Sequence, residues 1–108
     1  MSMGLFDFMK SPDINEGVKI CEETQGAVLL DVRDRDEYAA GHIPGSVNLP
    51  LSEIRSAEDR FPDVDTPLFV YCLSGARSSK AIAALGEMGY TKLANLGGIR
   101  AWHGEIEK

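Results

Sequence analysis

Cysteine is scarce in this chain: there are two in 108 residues, at positions 21 and 72, too few and too far apart for a disulfide framework. No secretion signal accompanies them, so the expected compartment is a reducing cytoplasm. Long apolar runs are also missing, and no segment approaches the length needed to cross a bilayer. The opening residues hold Leu5, Phe6, Phe8 and Met9, but Asp7 interrupts them and neither a basic region nor a small-residue cleavage site frames them. We read residues 1–12 as an arm, not a targeting peptide. Positive charge is in deficit too, with eleven Lys and Arg against seventeen Asp and Glu and a net charge of −6. That balance argues against nucleic acid or an anionic membrane surface as partner. The deficit is uneven: residues 1–71 carry six bases and fourteen acids, whereas residues 72–108 carry five bases and three acids. The last third therefore retains room for a small anion. No repeat, linker or low-complexity tract divides the chain, and its length leads us to expect a single domain over residues 1–108.

What is present alternates between two patterns. Residues 27–31 (A-V-L-L-D) and 67–72 (P-L-F-V-Y-C) are short, nearly continuous apolar runs, as found in strands buried on both faces of a parallel sheet. Weaker strands are expected over residues 46–49 and 92–96. Helical patterns fall between them, over residues 15–24, 35–40, 53–61 and 78–88, with a shorter helix over 99–103. Gly41, Pro44 with Gly45, Pro62 and Gly89 punctuate these segments. Alternation of this kind predicts an α/β fold with helices on both faces of a mainly parallel sheet.

The segment after the stronger apolar run carries the chemistry. Cys72 ends the run, followed by Leu73, Ser74, Gly75, Ala76 and Arg77, and a helix is expected to open at Ser78. In open α/β sheets, ligands bind beyond the carboxyl ends of the strands, which is where Cys72 falls. A tight loop there turns backbone N–H groups inward as an anion nest, and the helix start adds the positive end of its dipole. Both favour a thiolate. An ordinary thiol with pKa about 8.5 is only about 3% ionised at pH 7, so a drop of roughly two units decides whether the sulfur is a nucleophile. Gly75 supplies backbone freedom, Ser74 and Ser78 offer hydroxyls, and Arg77 adds a permanent charge beside the pocket.

The run C-L-S-G-A-R-S, from Cys72 to Ser78, resembles the active-site loop of the rhodanese family. Two more segments are similar to that family's flanking signatures: L-L-D-V-R-D-R-D-E-Y-A-A-G-H-I-P-G-S-V-N-L-P over residues 29–50 and L-G-G-I-R-A-W over residues 96–102. They occur in the family's order and span most of the chain. The resemblance implies a three-layer α/β/α rhodanese-like fold with a mainly parallel sheet of about five strands. It further implies a thiosulfate sulfurtransferase that moves sulfane sulfur through a persulfide on Cys72. Leu73, Ser74, Gly75, Ala76, Arg77 and Ser78 would then cradle the persulfide and the anionic donor. Its partners would be a small anionic sulfur donor and a thiol or protein-cysteine acceptor, with cyanide accepting in vitro and no metal, nucleotide or flavin cofactor. Cysteine-dependent phosphatases also place a cysteine before an arginine and a helix, but with five intervening residues, where this chain has four. A smaller ring of donors suits a persulfide better than a tetrahedral phosphate. The neutral Leu73 and Ser74 depart from members that carry basic residues after the cysteine and weaken the case for thiosulfate as donor. A module that kept the fold without turnover, its cysteine serving as a redox sensor, is the reading from a different class.

Other residues have plainer readings. Asp31 and Arg33 follow the first strong strand on the same rim, where they either support the site or form an ion pair that fixes their loop. Ile14, Val18 and Cys21 fall at helical spacing, so Cys21 is read as packing. His42 sits in a turn, where a structural hydrogen bond is expected, and Trp102 is expected to pack. Asp34, Asp36 and Glu37 read as helix-start charges favoured by the dipole, not a metal site.

Overall fold

The computed structural model describes residues 13–108; the arm expected over residues 1–12 lies outside the described residues. The first helix, α1 (Ile14–Glu23), begins where the Asp13 side chain accepts from the Asn15 N–H at 2.8 Å, capping the first turn. Its stripe of Ile14, Val18 and Cys21 is buried, as the spacing predicted, with Gly17 on the same face. Then come β1 (Val28–Asp31), α2 (Arg35–Ala40) and β2 (Val47–Asn48), a 3-10 turn (Leu51–Ser56) running into α3 (Ala57–Arg60), and β3 (Leu68–Cys72). The chain closes with α4 (Ala76–Glu87), β4 (Leu93–Gly98) and a second 3-10 turn (Ile99–Ala101).

All strand pairs are parallel, and the order is β2-β1-β3-β4. The two most apolar runs of the sequence thus occupy the centre of the sheet, where both faces are covered and alternation with polar residues is not required. Within β3, side chains alternate between two cores. Leu68, Val70 and Cys72 pack with Leu30, Ala81 and Leu85 beneath α3 and α4, while Phe69 and Tyr71 pack with Ile14, Val18 and Leu29 beneath α1. Each large apolar side chain so buried contributes about 1.5–3 kcal/mol.

The sheet has four strands among the described residues, one fewer than the expected five. The chain's end adds only an isolated antiparallel bridge, His42 with Glu107, not a ladder. Residues 53–61 form the end of a 3-10 turn and one helical turn, not a single helix. The helix expected at Ser78 opens earlier, at Ala76, because Gly75 adopts the left-handed region (φ 110°) and reverses the chain sooner. Strand β4 also runs on into the L-G-G segment, past a bulge where Val70 pairs with Asn95 but Tyr71 pairs with Gly97.

Candidate active site

The early helix start decides the local geometry. Ala76, Arg77 and Ser78 form the first turn of α4, whose N–H groups have no partner within the helix. The first helical bond is donated by the Ser79 N–H to the Gly75 carbonyl, at 3.1 Å. The Ser78 N–H instead points to the Cys72 sulfur, with N and Sγ 3.3 Å apart, and the Gly75 N–H reaches the same sulfur at 3.0 Å. The Ser78 Oγ lies 3.6 Å from it. Cys72 is 1% exposed. Burial pushes its thiol pKa up, but the Ser78 hydroxyl and the N–H groups of Ser78, Gly75 and Ser74 outweigh burial and hold it below the ordinary value.

Strand β4 forms the back of the loop. Cys72 pairs with Gly98, and a Cβ placed on Gly98 would fall 2.1 Å from the Leu73 oxygen. Only a residue without a side chain fits there. The Arg100 N–H donates to the same Leu73 carbonyl at 3.3 Å. From the other side, Arg77 reaches across to α2, where its guanidinium donates to both oxygens of Glu37 at 2.7 and 3.0 Å. The permanent charge expected beside the pocket thus has a carboxylate partner. Its fork is engaged by a carboxylate forty positions away. The Glu37 carboxyl responds: Arg77 holds it at about 2, with help from the Asp34 N–H that it also accepts. Glu37 is therefore both a helix-start charge and the strut that fixes Arg77.

A comparison with family profiles matches residues 16–105 to the Rhodanese-like domain. The chain belongs to that family. Its rhodanese-like domain is similar to the Bacillus subtilis protein YqhL, 38% identical over 82 residues, covering 75% of this chain and 64% of YqhL. It is also similar to the Escherichia coli thiosulfate sulfurtransferase PspE, 38% identical over 72 residues, covering 66% of this chain and 69% of PspE. The chain thus spans about two thirds of the length of these relatives. Among solved structures, a rhodanese with anions from E. coli superposes with a TM-score of 0.70 at 34% identity, over 76% of this chain and 98% of that one. The three-layer α/β/α fold implied by the sequence is the fold of these neighbours.

The remaining candidates of this rhodanese-like domain have partners of their own. Asp31 and Arg33 form a buried pair at 2.7 Å, and Arg33 also donates to the Gly41 carbonyl and lies over the Tyr71 ring. Of the two readings left open for them, the structure shows the ion pair that fixes their loop. Asp31 and Tyr71 are partners in the sheet, so the pair braces the strand end from behind. The His42 ring stacks on Tyr38 with centroids 3.7 Å apart, and its Nδ1 meets the Tyr38 carbonyl at 2.9 Å. Trp102 packs against the core under α1. Cys21 lines a cleft of about 240 Å³ with Val18, Leu29 and Pro44, in the core on the opposite face of the sheet from Cys72. Burial pushes its thiol up to about 12, so it stays protonated. Among the described residues no helix is long and apolar enough to cross a membrane.

Sequence reasoning missed three residues of the site. Glu37 was read only as a helix-start charge. Gly98 and Asn95, whose Oδ1 lies 2.8 Å from the Ser78 Oγ, lie in or beside a quoted motif, but their contacts to the loop depend on the β3–β4 register, which the bulge shifts.

Proposed function

We propose that this protein is a sulfurtransferase whose Cys72 carries the sulfur being moved. The observation that carries the reading is the sulfur's own set of donors, the Gly75 and Ser78 N–H groups at 3.0 and 3.3 Å, on a thiol held below its ordinary pKa. Support also comes from the likeness to PspE, which is named a thiosulfate sulfurtransferase. The Cys72 thiolate attacks the outer sulfur of a donor such as thiosulfate. A sulfur–sulfur bond forms to Cys72 as the donor's own sulfur–sulfur bond breaks, and sulfite leaves with the electron pair. The persulfide's terminal sulfur carries the negative charge, and the N–H groups of residues 73–78 are the donors that stabilise it. A thiophilic acceptor then attacks that sulfur and returns Cys72 as a thiolate. Cyanide serves in vitro and leaves as thiocyanate; in cells the acceptor is a small thiol or a protein cysteine. A reducing cytoplasm suits this chemistry, since both cysteines are free thiols.

The phosphatase alternative loses support from Arg77, whose guanidinium donates to both oxygens of Glu37. Steady-state assay with thiosulfate and cyanide tests the proposal. Thiocyanate should accumulate catalytically, and Cys72→Ser should abolish it. No thiocyanate from thiosulfate or from other sulfane donors, with the Cys72 thiol intact by titration, would overturn the reading.

A further inference from the structure

The Ser78 hydroxyl has one proton and more than one neighbour that can accept it. Its Oγ lies 2.8 Å from Asn95 Oδ1, 3.0 Å from the Gly75 carbonyl and 3.6 Å from the Cys72 sulfur. The Gly75 carbonyl already accepts from the Ser79 N–H at 3.1 Å and the Ser79 hydroxyl at 3.0 Å, which uses both of its lone pairs. The contest for the Ser78 proton is therefore between Asn95 and the sulfur. Asn95 is firmly placed for it. It sits at the β4 bulge, where its Oδ1 also accepts from the Gly97 N–H at 2.9 Å and its Nδ2 donates to the Ser79 Oγ at 3.0 Å.

These bonds define two arrangements, neither of which strands a polar atom. While Cys72 is a thiol, its S–H donates to the Ser78 Oγ, and the hydroxyl proton is held by Asn95. When the sulfur becomes a thiolate, its proton having left to solvent, it can only accept, so the hydroxyl must turn toward it. Asn95 Oδ1 then keeps the Gly97 N–H. The inner sulfur of a persulfide has no proton either and requires the same turned hydroxyl, a point that rests on the sulfurtransferase reading.

We propose that Asn95 is a positioning residue for Cys72: by competing for the single Ser78 proton it sets the pH at which the sulfur becomes a thiolate. It acts as a brake, through Ser78, without touching the sulfur. The charged groups around Cys72 are Arg77 of α4 with Glu37 of α2 and its N-cap Asp34 upon it, Arg100 whose backbone meets Leu73, and the Asp31–Arg33 pair at the end of β1. None of them is changed in the test that follows.

The experiment is the pH profile of Cys72 alkylation by iodoacetamide, followed on the Cys72 peptide, in the full chain and in Asn95→Ala, Ser78→Ala and the double variant. Asn95→Ala should lower the midpoint by about 0.5 to 1 unit, which is roughly three- to tenfold more thiolate below the midpoint. Ser78→Ala should raise it, and Asn95→Ala should shift nothing further in that background. An unchanged or raised midpoint in Asn95→Ala, or the same shift with and without the Ser78 hydroxyl, would overturn the proposal. Should Asn95→Ala lose its cooperative melt, Asn95→Asp keeps the shape and strengthens the acceptor. Its midpoint should rise more with Ser78 present than with Ala at 78, and an equal rise would also overturn the proposal. Alkylation needs no sulfur donor, so this result stands apart from whether the chain loads sulfur.

Discussion

Gly98→Ala probes the loop from behind. The backbone of Gly98 is extended, at φ −123° and ψ 145°, so alanine meets no conformational objection there. The obstacle is space. The new Cβ would lie 2.1 Å from the Leu73 oxygen and 2.6 Å from both the Leu73 carbonyl carbon and Ser74 Cα, all backbone atoms. Reaching even 3.0 Å demands that strand and loop part by about 0.9 Å, taken from those same contacts. Overpacking of this size costs about 1–3 kcal/mol, or a Tm lower by roughly 5–15 °C in a domain of this length. The functional effect should exceed the loss of stability, because the displaced atoms belong to the residues that deliver the Ser74 and Gly75 N–H groups to the sulfur. Loss of those donors should raise the Cys72 pKa and slow its alkylation at pH 6 by about tenfold or more. The assay is iodoacetamide labelling of the folded protein at pH 6, with a thermal melt beside it. A variant that melts lower but labels at the wild-type rate would refute the claim that the loop's N–H groups activate Cys72.

Further outcomes follow from the charges and from the second thiol. Glu37→Gln removes the carboxylate that grips Arg77. Because Glu37 titrates at about 2 in the fold against an ordinary 4.5, its contribution is complete above about 4.5 and is lost as pH falls toward 2. The gap between wild type and variant, about 1 kcal/mol or less for this part-exposed pair, should thus close over that window in urea melts. Asp31→Ala leaves Arg33 as an uncompensated buried charge and should cost about 3–5 kcal/mol in denaturant melts, whereas Glu53→Ala, at the exposed pair with Arg35, should leave the melt essentially unchanged. Cys21, pushed up to about 12 by burial, should stay unlabelled at pH 8 while Cys72 reacts, and should label only when the protein unfolds, as read by peptide mass.

The sequence was most legible where one residue's neighbours in the chain are also its neighbours in space. The runs 27–31 and 67–72 announced central strands because burial on both faces removes polar alternation, and β1 and β3 are the inner strands of the sheet. The Cys72-to-Ser78 loop was legible for the same reason. The pairing of Arg77 with Glu37 was not legible because the two are forty residues apart and on different helices. The roles of Asn95 and Gly98 were hidden by the β4 bulge, which no periodicity encodes. Helix α4 was begun two residues late because the left-handed turn at Gly75, which sets its start, is a property of the folded loop.

The central claim, a transferable sulfur on Cys72, is met most directly by intact mass after a short exposure to thiosulfate or another sulfane donor, with excess donor removed. The protein should gain one sulfur atom, located on the Cys72 peptide, removed by cyanide and absent in Cys72→Ser. Sulfur found on Cys21 instead, or no gain from any donor while Cys72 remains a titratable thiol, would contradict it.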